Sequence, residues 1–140
     1  MFGDTVLPRT TQGTVREWQA IRPQVFSGFT ACLPALLAAG NSLVVDYIIE
    51  TPAMWQEFRT CLTGFDVFLV GLHCPVQELE RRELARGDRR LGDARRDALT
   101  VHTFTRYDLD LSCADPLDDT VQRVIQAWQV RDRSRLLMGQ

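Results

Sequence analysis

Two apolar runs rich in β-branched residues place the strongest constraint on how this chain folds. They cover residues 42–49 (SLVVDYII) and 66–72 (DVFLVGL). Continuous apolar runs of this length are typical of strands covered on both faces, as in a parallel sheet. A third run, residues 107–111 (YDLDL), alternates apolar and acidic side chains as a strand near a sheet edge does. The three runs together predict a sheet at the centre of the domain.

Helix signals lie between and around these runs. Each main predicted helix begins at or near a proline, which the first helical turn tolerates, and Thr51 before Pro52 reads as an N-cap. The predicted helices cover residues 25–39, 52–62, 76–85 and 117–130, and a short helix fits residues 14–21. Pro34 is expected to kink the first of the four. Helices that alternate with strands predict right-handed crossovers, and hence one α/β domain over residues 1–140 with an open, mostly parallel sheet and flanking helices.

A dense charged segment follows the third predicted helix. Residues 80–96 contain seven arginines and four acidic residues, and two glycines interrupt the run. One interpretation is a solvated helix face covered with salt bridges. The other is a lid-like segment over residues 80–98 whose arginines fold over phosphate groups. Both interpretations remain open at this level.

Polar residues near the predicted strands are candidates for a site, because ligands of open parallel sheets bind at the carboxyl ends of the strands. Asp46 lies inside the first apolar run, where an unpaired carboxylate is costly. It therefore either caps a neighbouring loop or lies near a magnesium–phosphate centre. His102, Tyr107 and Asp108 could form a polar cluster near the last strand, or His102 could be a structural histidine with its hydrogen bonds satisfied.

Composition excludes several other classes of function. A net charge of −2 gives no general attraction to nucleic acid or to anionic membranes, and no apolar run approaches the length of a membrane span. The chain starts without a secretion signal, and its cysteines include no C-x-x-C pair, so we expect reduced, buried thiols and a cytoplasmic location. Two isolated histidines do not indicate a zinc site. The sequence leaves the oligomeric state open.

The chain contains no lysine, since all sixteen basic residues are arginine. Such replacement is common in proteins from GC-rich genomes and does not by itself indicate a function. It has one chemical consequence, because a site that needs a primary amine cannot be built from these residues.

Several stretches resemble the chloramphenicol phosphotransferase-like family of P-loop kinases. They are LLAAGNSLVVDYIIE, GFDVFLVGLHCPVQELERRELARGDRRLG and VHTFTRYDLDL, and the similarity covers residues 23–128. The R-R-E-x-A-R-G-D-R segment and the V-H…Y-D pair are its most specific parts. The resemblance implies a P-loop kinase fold and transfer of the γ-phosphoryl group of ATP, with Mg²⁺, to a hydroxyl of a small molecule such as chloramphenicol.

The resemblance also implies roles for individual residues. Asp46 matches the position that acts on Mg²⁺, and Arg82, Arg86 and Arg89 match lid arginines that neutralise phosphate charge. The family places its catalytic aspartate in a G-x-D-[ST] segment. Residues 2–8 (FGDTVLP) are similar to a shortened version of that segment, which makes Asp4 the candidate base.

The chain departs from the family pattern at its front, because no G-x-x-x-x-G-K-[ST] loop is present. We expect the unit that carries the loop to be missing, with no tight binding of ATP or Mg²⁺ and no activity. The strand before the loop would lie between residues 42–49 and 66–72, so its absence would leave about 9.6 Å between them. Two alternatives are a non-catalytic binding module and a remnant of a related small-molecule or sugar kinase.

Overall fold

A computed structural model describes residues 18–87 and 91–131, and side chains from residue 20 onward. Within those ranges the chain forms five helices and two parallel strands, which confirms the α/β class. In chain order the elements are α1 (Trp18–Ala38), α2 (Pro52–Cys61), β1 (Val70–His73), α3 (Val76–Arg86), α4 (Asp93–Thr100), β2 (Leu109–Ser112) and α5 (Leu117–Val130). None of the helices in the described ranges is long and apolar enough to cross a membrane.

The two strands pair in parallel with Gly71 opposite Asp110 and His73 opposite Ser112. Both strands begin later than the sequence predicts, because the ladder starts at a side-chain contact. The Asp108 carboxylate accepts a hydrogen bond of 2.8 Å from the backbone N–H of Leu69, and Leu69 in turn accepts one from the N–H of Asp108. Asp108 therefore bonds to the residue just before β1, at the start of the strand ladder, and does not join a cluster with His102.

A disulfide joins Cys74 to Cys113 one position beyond the last ladder pair. The parallel register brings these residues side by side, with a Cα–Cα distance of 5.1 Å that lies within disulfide reach. The prediction of reduced, buried thiols is therefore wrong for this pair, and the cysteine argument for a cytoplasmic location no longer holds. Cys32 and Cys61 are free, the first exposed and the second half-buried.

The predicted strand at residues 42–49 is not a strand in the structure. β1 pairs with β2, and no described segment offers residues 42–49 a second ladder. The side chain of Val44 is fully exposed at 105%, and Val45 and Ile48 are each 37% exposed. Hydrophobicity predicted a buried strand, but a strand also needs a neighbour whose backbone N–H and C=O groups are in reach. The larger open sheet therefore stays a prediction.

The apolar core lies between α1 and α2. Leu33 of α1 is buried against Trp55, Phe58 and Leu62, and Phe58 is 5% exposed. The ring of Tyr47 stacks between Phe29 and Phe58, at centroid distances of 5.1 and 5.9 Å. Residues 42–49 are thus attached to the core through Tyr47, although they belong to no sheet.

Local signals account for the bounds of several helices. The Thr51 hydroxyl accepts a hydrogen bond of 3.2 Å from the N–H of Met54, which confirms the predicted N-cap of α2. α5 has the bounds that the sequence predicts. α1 is a single helix that begins at Trp18 and contains both Pro23 and Pro34, whereas the sequence suggested a short helix followed by a separate one.

Candidate functional site

An open groove of about 1530 Å³ runs from residues 42–49 across β1 to the helices α3 and α4. Three of the residues implicated by sequence line this groove: Asp46, Arg82 and Arg86. Asp4 and Arg89 lie outside the described residues. His102 and Tyr107, which the sequence placed in a possible polar cluster, also line the groove, as do His73, Glu83 and Asp97, which the sequence argument did not connect to a site.

Asp46 is exposed on the groove side of its segment. In the described parts of the chain its carboxylate has no hydrogen-bond or ion-pair partner, so Asp46 caps no loop there. No group of three or more His, Cys, Asp or Glu side chains able to hold a metal occurs in the same parts. Mg²⁺ keeps several water ligands and needs only one or two carboxylates in nucleotide sites, so a lone Asp46 is compatible with that ion.

Arg82 and Arg86 lie one helical turn apart on α3 and both line the groove. The Nε of Arg82 donates a hydrogen bond of 2.7 Å to Glu78, which also accepts two from Arg81. Hydrogen bonds from Arg81 and then Arg82 lower the pKa of the Glu78 carboxyl from 4.5 to about 2. Gly87 ends the helix in the left-handed conformation, with φ of 65°.

Glu83 is a structural residue of the arginine segment that sequence reasoning missed. Its side chain is 6% exposed, and its two carboxylate oxygens accept backbone hydrogen bonds of 2.8 Å from Gly92 and from Ala94. These N–H groups belong to the start of α4, so Glu83 caps α4 from the neighbouring helix. Arg95 adds a second link through its 2.7 Å bond to Glu80. The charged segment therefore contains two connected helices.

Two histidines meet at the carboxyl end of the strand pair. The Nε2 of His73 lies 2.5 Å from the Oδ1 of Asp110, and the Nδ1 of His102 lies 2.8 Å from the hydroxyl of Tyr107. The two imidazole rings are 4.1 Å apart between centroids. The contact of His102 with Tyr107 is present, and it fits both a polar cluster and a structural histidine with a satisfied hydrogen bond. His73 and Asp110 complete the cluster, and Asp108 does not belong to it.

Burial shifts the pKa values of two members of this cluster, His102 and Tyr107. It lowers the pKa of His102, an effect that the neighbouring His73 reinforces. Burial likewise raises the pKa of Tyr107, and the negative charge of Asp110 adds to the increase. Near neutral pH His102 is therefore a neutral imidazole and Tyr107 a neutral phenol. A sequence signal for the cluster exists in hindsight, because His73 and Asp110 lie at the ends of two predicted parallel strands.

Gly71 makes room for the cluster on the strand surface. A Cβ at this position would lie 2.4 Å from Cδ2 of Tyr107, which is closer than van der Waals contact permits. The Tyr107 ring can therefore lie directly on the β1 backbone because residue 71 has no side chain.

Comparison with known proteins identifies the family of the chain. The family model described as chloramphenicol phosphotransferase-like protein matches residues 6–131. Two Mycobacterium tuberculosis proteins from different strains, each named "Putative O-phosphotransferase", are 29% identical over 120 residues, which is 81% of this chain and 53% of each relative. The chain thus spans about half the length of the curated relatives it matches. Because the family model covers most of its length, the chain belongs to the chloramphenicol phosphotransferase-like family.

Proposed function

We propose that this chain contains the lid and the acceptor side of an ATP-dependent O-phosphotransferase for small-molecule hydroxyl groups. The observation that carries the proposal is the groove that Asp46 shares with Arg82 and Arg86. In the reaction the acceptor oxygen attacks the γ-phosphorus, the new O–P bond forms, and the bond to the β-phosphate oxygen breaks to release ADP. The acceptor proton passes to a carboxylate base, for which Asp4 is the candidate.

The side chains of the groove match the charges that such a reaction places there. Asp46 would hold Mg²⁺ through water, and the ion would supply positive charge beside the β- and γ-phosphates. The exposed guanidinium groups of Arg82 and Arg86 would bind the phosphate oxygens as charge builds up on them. Arg89 is proposed to join them.

The lysine-free sequence carries a second part of the proposal. A P-loop holds the β- and γ-phosphates with backbone N–H groups and one lysine, and these 140 residues contain neither the motif nor the amine. We therefore expect calorimetry to find no measurable affinity of the 140-residue chain for MgATP. Saturable micromolar binding would show that the loop is dispensable and would contradict this part.

Transfer itself is tested on a chain extended upstream to include any in-frame G-x-x-x-x-G-K-[ST] segment. Arg82→Gln should lower the rate of phosphoryl transfer to chloramphenicol roughly 100-fold or more, as loss of a charge-stabilising donor does. Arg81→Gln is the matched control, because Arg81 lies on the same helix but does not line the groove. Equal losses in both variants would contradict the assignment of Arg82.

The absence of lysine favours a second candidate, a non-catalytic module that binds a hydroxyl compound without turnover. The two candidates differ in one observable. An extended chain that binds MgATP and transfers phosphate is the kinase. A chain that binds the acceptor but never transfers is the module, and a preference for sugars among acceptors would indicate the related sugar kinases.

A further inference from the structure

The strand ladder itself builds the cluster of His73, His102, Tyr107 and Asp110, here called the histidine site. Asp110 faces Gly71 across the ladder, and His73 lies two residues after Gly71, so both side chains project from the same sheet face. Tyr107 lies against Gly71 on that face. His73, His102 and Tyr107 line the groove, and the side chains of His73 and Asp110 are 44% and 61% exposed.

The hydrogen-bond partners of the two histidines determine their tautomers. A carboxylate only accepts, so the Nε2 of His73 carries the proton that bonds Asp110, and in the tautomer with that proton the Nδ1 of His73 is a bare acceptor. For His102 the tautomer follows from the partner of the hydrogen on the Tyr107 hydroxyl. If the Nδ1 of His102 donated to Tyr107, the hydrogen of this half-buried phenol would have no partner in the described residues. Tyr107 therefore donates to Nδ1, and the Nε2 of His102 carries a hydrogen.

The histidine site thus presents a bare nitrogen acceptor on His73 and an N–H donor on His102, on rings 4.1 Å apart. A hydroxyl group both donates and accepts, so a single hydroxyl can satisfy both. A phosphate or carboxylate would instead meet the lone pair of His73 and the negative charge of Asp110.

We propose that the histidine site binds a hydroxyl group of the acceptor other than the one that is phosphorylated, and selects neutral polyols over their phosphorylated counterparts. This inference rests on the proposed function and deepens it, because it assigns an acceptor class to particular residues. Arg82 and Arg86 line the same groove, so anionic phosphate groups bind at the arginines and the neutral acceptor binds at the histidines.

The test uses the full 140-residue chain without nucleotide, which keeps it independent of phosphoryl transfer. The chain contains two histidines, so the ¹H–¹³C spectrum at pH 7.5 holds two sets of imidazole signals. We expect glycerol and chloramphenicol to shift both sets in a saturable way, while glycerol 3-phosphate and inorganic phosphate leave them in place. Comparable shifts with the phosphates, or no shift with any probe, would overturn the proposal.

Two variants localise the effect. Asp110→Asn replaces a carboxylate by a group that also donates, so it no longer fixes the His73 tautomer, and it should weaken glycerol binding roughly tenfold. Tyr107→Phe should weaken it by a similar factor, because His102 loses the partner that fixes its proton on Nε2. Asp119→Asn, in the exposed first turn of α5, is the control and should leave binding unchanged.

The outcomes separate this proposal from the proposed function. If an extended chain binds hydroxyl compounds but does not transfer phosphate, the proposed kinase function is wrong and the proposed role of the histidine site stands. If Asp110→Asn and Tyr107→Phe leave phosphoryl transfer and the KM for the acceptor unchanged, the proposed role of the histidine site is wrong and the proposed kinase function stands.

Discussion

The α1–α2 region and the α3–α4 region are held together by different forces. Between α1 and α2 the buried contacts are apolar, with Leu33, Trp55, Phe58 and Leu62 buried and Tyr47 stacked on them, and an exposed hydrogen bond joins Ser27 to Glu57. Between α3 and α4 they are ionic or polar, and none of the described side chains of α4 is buried. One half of the molecule thus depends on packing, and the other on the buried carboxylate Glu83 and exposed ion pairs.

The difference bears on how each region can move. Burial of apolar surface is insensitive to salt, whereas exposed ion pairs contribute about 0–1 kcal/mol and are screened. The α3–α4 region can therefore open at modest cost while the α1–α2 region stays folded. Such behaviour is what a lid requires, and the lid-like role of residues 80–98 stays a proposal. Three predictions test this contrast, in order of decreasing effect.

Phe58→Ala should have the largest effect, because Phe58 contacts both Tyr47 and Trp55 and is 5% exposed. Truncating a buried phenylalanine costs about 3–5 kcal/mol, which is a large fraction of the stability of a small domain. Urea unfolding should show loss of the whole cooperative transition. Val130→Ala, at a position 84% exposed, is the control and should change stability by less than about 0.5 kcal/mol. A small effect of Phe58→Ala would mean that the aromatic stack is not the main source of stability.

Glu83→Gln should have an intermediate and local effect. The amide retains one acceptor oxygen for the two N–H groups at the start of α4, and we expect local opening to become easier by roughly 1–3 kcal/mol. Hydrogen exchange should accelerate in α4 and leave α1 unchanged. Glu80→Gln, which affects the exposed bond to Arg95, should change exchange far less. Acceleration in α1 as well would show that the two regions unfold as one unit.

Acidification should produce the smallest effect, at Glu78. Its pKa is lowered from 4.5 to about 2, so the folded state gains stability from this group above pH 4.5 and loses it as the pH falls through about 2. A carbon-detected NMR titration should place the Glu78 midpoint near 2. The double variant Arg81→Gln, Arg82→Gln should return it towards 4.5. A midpoint that does not move would exclude the two arginines as its cause.

Local sequence signals predicted much of the secondary structure. Thr51-Pro52 begins α2, and the spacing of Val121, Val124, Ile125 and Trp128 identified α5, because caps and periodicity act within a few residues. The arginine candidates Arg82 and Arg86 were placed on a helix beside the groove in the same way.

Contacts between distant residues escaped prediction. Cys74 and Cys113 are paired by strand register, 39 residues apart, and a search for close cysteine motifs cannot detect that. Glu83 finds its partners on another helix, across two glycines. Residues 42–49 have the composition of a strand, but composition does not report whether a neighbouring strand is present. In each case the sequence does not show which distant residue or strand the segment contacts.

The Cys74–Cys113 bond also makes a closed ring of the chain that contains both arginine helices. In the chain-entropy model a ring of this size removes freedom from the unfolded chain worth about 4 kcal/mol. When α3 and α4 separate, the ring keeps its perimeter and the two ends stay fixed at the strands. In the proposed lid the opened segment would therefore explore a small volume, and Arg82 and Arg86 would return to the groove after a short search rather than a wide one.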